Sequence, residues 1–382
     1  LSGYTHSSSK VSSGTGNVSI TSSKGLSISG SELTAKSGVV NLESRGVLTD
    51  QYTLTSIPSN LTSPKVISAS MILDGHTNFY DRGNENDANY SMRTLVNPSV
   101  IAGAKGVNIK TVGSTANDNL IMQGTGIVSQ GDVKIESNKN IVFDAAIEES
   151  YDRSTQTQKK RSWGGLKKKY ITTVAVNSST NAASVDIYGK NISIESKDQN
   201  KDVSIDIYSG KFTADGGTLS IKAGGNLNFY TVEESSSSNV DITKKSTFAG
   251  IKYNKSSTNA TRSQVTELPA KLKADYIGTK SGFDTRLVGT EFEYLKGATI
   301  EAGGTLELIA AKTSITELLK KEKNSVVWQS MQDKGSITET AQLPQFNGPV
   351  SPTFKAAGGL SVQIPISEKD QNKVVIRDEI LK

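Results

Sequence analysis

The chain has 382 residues, a formal net charge of +5, two histidines and no cysteine. It therefore offers little raw material for a zinc site or a Ser-His-Asp arrangement and none for a thiol nucleophile, and it holds no apolar run of the ~20 residues that would span a bilayer as a helix. The length exceeds the ~250–300 residues at which one globular core stops growing, yet no Pro-rich or charged linker divides it. An architecture whose core extends along one axis resolves that conflict. So modest a net charge argues against a nucleic-acid partner. No signal peptide opens the chain at Leu1, and the pattern begins and stops mid-repeat, so the chain is expected to be a piece of a longer exported protein. Freedom from cysteine suits a chain exported unfolded through a narrow pore.

In chain order, short apolar alternations recur: GNVSI (16–20), LSISG (26–30), VVNLES (39–44), VNIK (107–110), VKIES (133–137), ISIES (192–196), LSIKAGG (219–225) and LELIA (306–310). Each is β-prone with period two, the mark of a strand with one buried face. The turn signals between them lie too close for crossover helices. Val18 and Val40 are 40 − 18 = 22 residues apart, about one coil of a parallel β-helix. At about 4.8 Å per coil, roughly 10 to 15 coils would build a rod of roughly 50 to 70 Å. Residues 45–100 depart from the pattern and read as a longer excursion or irregular coils rather than a separate domain. Their Asx-rich stretch 81–89 lacks the ligand spacing and Gly position of a calcium loop and reads as a turn.

A larger module repeats above this one. GDVKIESNKNIVFDAAIEES from Gly131 leads to KKRSWGGLKKKY at 159–170, and GTLSIKAGGNLNFYTVEES from Gly217 leads to KKSTFAGIKY at 244–253. Superimposing Gly165 on Gly250 gives a period of 250 − 165 = 85 residues and puts Trp163 on Phe248. A weaker third copy starts at Gly297, and its stretch 313–327 has charge spacing that would also suit a short helix. The inserts, about 148–176 and 233–266, read as β-hairpins leaving the rod. Their tips place Lys159, Lys160, Arg161, Trp163, Lys167, Lys168, Lys169, Tyr170, Lys244, Lys245, Phe248 and Tyr253 together. Cations interleaved with aromatics suit an anionic surface such as lipid headgroups or lipopolysaccharide. The plainer reading is edge protection by Lys, with aromatics capping a neighbouring coil.

Catalytic constellations are sparse. The acidic pairs Glu148-Glu149 and Glu233-Glu234 occur at the same place in both copies, which fits a solvated corner better than two active sites, and Asp202 with Asp206 has no basic or aromatic company in the sequence. No catalytic, metal or cofactor residue is assigned.

KAGGNLNF at Lys222, EAGGTLEL at Glu301, the E-E-S inserts leading to KK-S-[WF], and LPQFNGPVSPTFKAAGGLSVQIP at 343–365 together resemble the second filamentous-haemagglutinin-type repeat block of CdiA-type contact-dependent growth inhibition effectors, which are two-partner-secreted exoproteins. The likeness covers nearly the whole chain; the 45–100 segment departs from it. It implies an all-β, right-handed parallel β-helix solenoid with protruding hairpins, closed by a segment at 343–382. It also implies export by an outer-membrane secretion partner to the surface of a Gram-negative bacterium. In the effectors such a block associates with the target-cell outer membrane and helps deliver a C-terminal toxin. Two alternatives stand beside this one: a filamentous adhesin that binds a surface receptor, and a polysaccharide-processing enzyme.

Overall fold

The computed structural model describes residues 2–54, 66–325 and 329–364. Residues 55–65 of the excursion, the stretch 326–328 and the closing residues 365–382 lie outside them. The described chain is a parallel β-helix of three faces, without an α-helix among the described residues. Asp186–Gly189, Ile192–Ser196 and Ser204–Tyr208 make one coil. Each face grows by parallel pairing with the next coil. On the second face one inward column reads Val18, Val40, Val107, Val133, Ile192, Leu219, Ile277 and Ala298. On the third, Met71, Leu120, Ile141, Ile205 and Leu227 stack in register. These columns form one continuous apolar core, which the period-two alternation anticipates. Val18 does pair with Val40. The described residues make nine coils, against the expected 10 to 15 for the chain, and these nine span roughly 40 Å. The difference is chain spent on the inserts.

Corners explain the glycine and asparagine signals. The Asn140 side-chain oxygen accepts a bond from the Ser204 amide of the next coil at 2.7 Å, and Asp284 does the same for Thr305 at 2.8 Å. Gly224, Gly282 and Gly303 stack from coil to coil so closely that a Cβ on Gly282 would lie 2.0 Å from the Gly224 carbonyl oxygen, and one on Gly303 would lie 2.1 Å from that of Gly282. The AGG motif is this close approach. In the last described coil, Phe346 stacks on Phe292 at 4.7 Å and the Tyr294 hydroxyl donates to the Val350 carbonyl at 2.8 Å. A Cβ on Gly348 would meet the Tyr294 ring, so the FNG of the closing motif is a packing requirement.

The solvent side of the second face carries a ladder of charges, in order Glu43, Lys110, Glu136, Glu195, Lys222, Lys280, Glu301 and Lys355. Burial alone would raise the Glu136 carboxyl, but the ammonium groups of Lys134 at 2.6 Å and Lys197 at 3.2 Å hold it below its usual value. Such rungs on a wet surface add little each.

After every second coil, where the third face hands over to the first, the chain leaves in a hairpin. These are His76–Arg82 with Tyr90–Asn97, Ala146–Ser162 with Lys167–Ala183, Val232–Phe248 with Ile251–Leu268, and Ala311–Ser325 with Gln329–Gln342. They pair with one another into a nine-stranded antiparallel sheet, with Ser2–Tyr4 at one edge. The geometry is commensurate: two coils rise about 9.6 Å, and one hairpin is two strands about 4.8 Å apart. The hairpins tile without gap or overlap.

Several expectations change in detail. Within 45–100, Met71–Asp74 is a regular third-face strand. It lies between a small antiparallel pair, Gln51–Thr53 with Val66–Ser68, and the first hairpin. The small pair covers the outer side of the third face, packing Tyr52 and Leu54 with Ile72, Ile121 and Val142. The stretch 313–325 is strand, not helix, because it pairs on both sides. The third copy therefore carries a full hairpin.

Candidate functional site: the hairpin rim

The strand Ala146–Ser162 and the strand Val232–Phe248 are both 17 residues long, so hairpin positions correspond at 232 − 146 = 86 residues rather than 85. Trp163 then matches Ala249, and Gly164 matches Gly250. All four have positive φ, at 57°, 46°, 56° and 87°, as the turns need. Phe248 instead sits directly opposite Lys167.

The registers bring the expected tip residues together. Lys159, Tyr170, Lys245 and Lys255 form one row across four strands and share a face. The Lys159 ammonium lies 5.4 Å from the Tyr170 ring centre, within cation–π range. Lys160 opposes Lys169, and Arg161 opposes Lys168. Tyr253 sits at the bulge of Ile251–Leu268, beside Lys252 and near Lys255. Directly opposed like charges destabilise a sheet, so stability does not account for this arrangement. From 158 to 171, 244 to 256 and 323 to 325 the rim holds eleven Lys and Arg and no Asp or Glu. Eleven of the chain's 43 Lys and Arg thus share one margin with no carboxylate among these segments.

Edge protection accounts for part of this. The neighbouring hairpin pairs with Ala146–Ser162 only from Ser150 to Arg153, leaving the outer part of that strand as a free edge that carries Lys159, Lys160 and Arg161. Lys167, Lys168, Lys169, Lys244 and Lys245 lie on strands paired on both sides, where no edge needs guarding. The aromatics do not cap a coil either, since Trp163 is 77% exposed. Leu166 and Ile251, missed from the sequence, belong to the same margin, with Ile251 73% exposed. Their signal was position, one residue beyond the turn glycines.

Acidic candidates resolve into structural roles. Glu148 accepts a bond from the Val96 amide at 2.9 Å, Glu234 from the Ala182 amide at 3.0 Å, and Glu267 from the Lys312 amide at 2.8 Å. Each carboxylate ties the base of one hairpin to the next. Burial pushes the Glu267 carboxyl above its ordinary value. Asp206 accepts bonds from Ser204 and Asn228 at 2.9 and 2.8 Å, while Asp202 closes a turn with Asn200. They form no shared cleft. The loop after Arg82 is a turn in which Asp87 accepts from the Asn84 amide at 2.8 Å.

One comparison speaks to identity. The hemagglutinin repeat family model matches residues 165–327. The match runs from the turn of the second hairpin through the fourth hairpin's first arm, and takes in the rim from Gly165 onward but not Lys159, Lys160, Arg161 or Trp163. No curated protein and no solved structure matches the chain.

Since the hairpins lie outside the solenoid core, removing Arg153 to Thr173 and joining the ends with Gly-Ser is expected to leave a cooperative thermal melt. The strand Val232–Phe248 then loses one neighbour over its outer half. Hydrogen exchange should rise there and leave the coils unchanged; loss of the cooperative melt would make the hairpins part of the core.

Proposed function

We propose that this is a surface-displayed β-helical segment of a secreted, haemagglutinin-type bacterial exoprotein, whose hairpin rim engages the outer membrane of a target cell during delivery of a C-terminal toxin. The hemagglutinin repeat match supports the exoprotein reading, and such repeats are typical of secreted or surface proteins of Gram-negative bacteria. Export would use an outer-membrane partner protein. The observation that carries membrane engagement is the carboxylate-free rim, where opposed like charges are kept beside exposed Trp163, Leu166, Phe248 and Ile251. Near an anionic membrane each cation contributes about 1 kcal/mol, and tips joined in one rigid sheet act together. An adhesin role uses the same rod and differs in what the rim or faces bind; the enzyme reading has no clustered residues behind it.

The test is flotation with vesicles of outer-membrane lipid at low salt. The wild type should float, and added salt should release it. Replacing Trp163 and Phe248 by Ala and Lys167, Lys168 and Lys169 by Gln should abolish flotation with the melt unchanged. Equal flotation of both proteins, or none by the wild type, removes the membrane role and favours the adhesin.

A further inference from the structure

The chain has two histidines, and they meet. The His6 and His76 rings stack with 3.9 Å between their centres and 14° between their planes. They join the segment after Ser2–Tyr4 to the base of the first hairpin, where His76 opens the outgoing arm. The other outgoing arms open on Ala146, Val232 and Ala311. Coil glycines mark the same position: a Cβ on Gly30 would lie 2.9 Å from His76, one on Gly124 3.3 Å from Ala146, and one on Gly289 2.4 Å from Ala311. The third residue of an arm ties its base to the preceding strand. Asn78 accepts from the His6 amide at 2.8 Å, as Glu148 does from that of Val96 and Glu234 from that of Ala182. His6 thus holds the position of Val96 and Ala182. The next two joints pack apolar side chains there, Val96 and Ala146 beside Gly124, and Ala182 against Val232. The first joint packs two imidazoles.

We propose that this joint is a pH switch, closed while the two rings are neutral and opened in mild acid when both carry charge, so that Ser2–Tyr4 comes away from the first hairpin. Imidazole is the side chain whose charge changes between about pH 5 and 8. Neutral rings stack; two imidazolium ions held face to face repel. The surroundings decide which ring leaves. His76 Nδ1 lies 3.5 Å from the Ser29 hydroxyl, which also bonds Asp74, and one buried oxygen of the Asp74 carboxylate has no hydrogen-bond partner. Burial pushes the Asp74 carboxyl up, while Ser29 and a charge on His76 draw it down. A first proton on His76 is therefore favoured by the coil. The groups that touch exposed His6 are neutral: Tyr4 meets it edge-on at 5.7 Å, and Asn78 holds its amide. Of the charged groups further out, Lys10 and Glu32 pair with each other, Arg93 lies over the Tyr80 ring, and Asp81 lies opposite Ser2 at the far end of the short strand. A second proton, on His6, meets the charge on His76, and Gly30 closes the space behind that ring. His6 moves off. Three residue pairs and the stack of Tyr4 on Phe79 at 5.8 Å then remain, the kind of short edge that frays.

Hydrogen exchange of the full chain at about pH 7.5 and about pH 5 reads the joint, each rate being divided by that of the unfolded chain at the same pH. Residues 2–6 should lose about tenfold or more in protection at the lower pH, while 93–97 and 180–183, at the two apolar joints, lose none. Two variants isolate the cause. His6→Phe keeps a ring over His76 and removes one of the two charges. His6→Val combined with His76→Ala copies the joint of Val96 and Ala146. Both should protect 2–6 equally at the two pH values. Unchanged protection in the wild type, the same acid loss in either variant, or a loss shared by all three joints overturns the proposal.

Discussion

Leu227→Asp is expected to abolish the cooperative melt of the rod. Leu227 is fully buried and stacks between Ile205 and Thr285 on adjacent coils. A carboxylate there has no partner and no water. Charged, it costs several kcal/mol; neutralised, it pays in a raised pKa and still leaves a hole where two methyl groups packed. With a total stability of about 5–15 kcal/mol for a typical domain, such a loss is not absorbed. Ile141→Asp, equally buried on the same column, should behave alike. Thermal melts followed by circular dichroism read both, and a shift of only a few degrees would mean the core is not where the columns place it.

Gly282→Ala is expected to cost about 2–3 kcal/mol although it adds a single methyl group. The methyl would stand 2.0 Å from the Gly224 carbonyl oxygen. The obstacle is backbone, so no side chain can turn aside. Both coils would have to part, and the second-face ladder across Lys222 and Lys280 would open with them. Gly164→Ala makes the control: nothing lies within 4 Å of its Cβ position, and the change strains only a positive φ of 56°. Its melting point should fall less than that of Gly282→Ala. A reversed order would mean the corner glycines serve turn conformation rather than coil contact.

The coil was legible because its physics is local and periodic. Val40, Leu42, Val107 and Ile109 alternate inward with period two, and the 22-residue spacing of Val18 and Val40 is the register in which the coils pair. The number of coils was not legible, since hairpin arms such as Thr172 to Ala183 alternate much as coil strands do. What tells them apart is which strand they pair with, and composition does not encode that. The same cause hid Met71–Asp74 inside an apparent excursion and left the stretch 313–327 open to a helical reading, its Leu and Lys spacing fitting either structure.

The rim was half legible. The tip cations were found from the two copies, and the copies also showed that the hairpins recur. That they join was not visible, because joining depends on a match between coil rise and hairpin width that no single residue carries. The one-residue slip between Trp163 and Phe248 came from the turns: the third hairpin closes over Ala249 and Gly250, while the second needs Trp163 to Leu166. Aligning glycines rather than strands put the aromatics on each other. Once the strands are aligned, Phe248 faces Lys167, and cation and ring alternate along the margin.

Paired cysteines across neighbouring hairpins give the most direct test of a solenoid flanked by a sheet of its own hairpins. Thr172 opposes Thr243, and Thr173 opposes Ile242. Changed pairwise to cysteine in a chain with no other thiol, at least one of these pairs should close to an intramolecular disulfide under mild oxidation. Thr172 with Lys245, displaced by two residues, should close far more slowly. Slow closure of both opposed pairs, or closure of the displaced pair at the same rate, would mean that the hairpins stand apart and that the second sheet does not form.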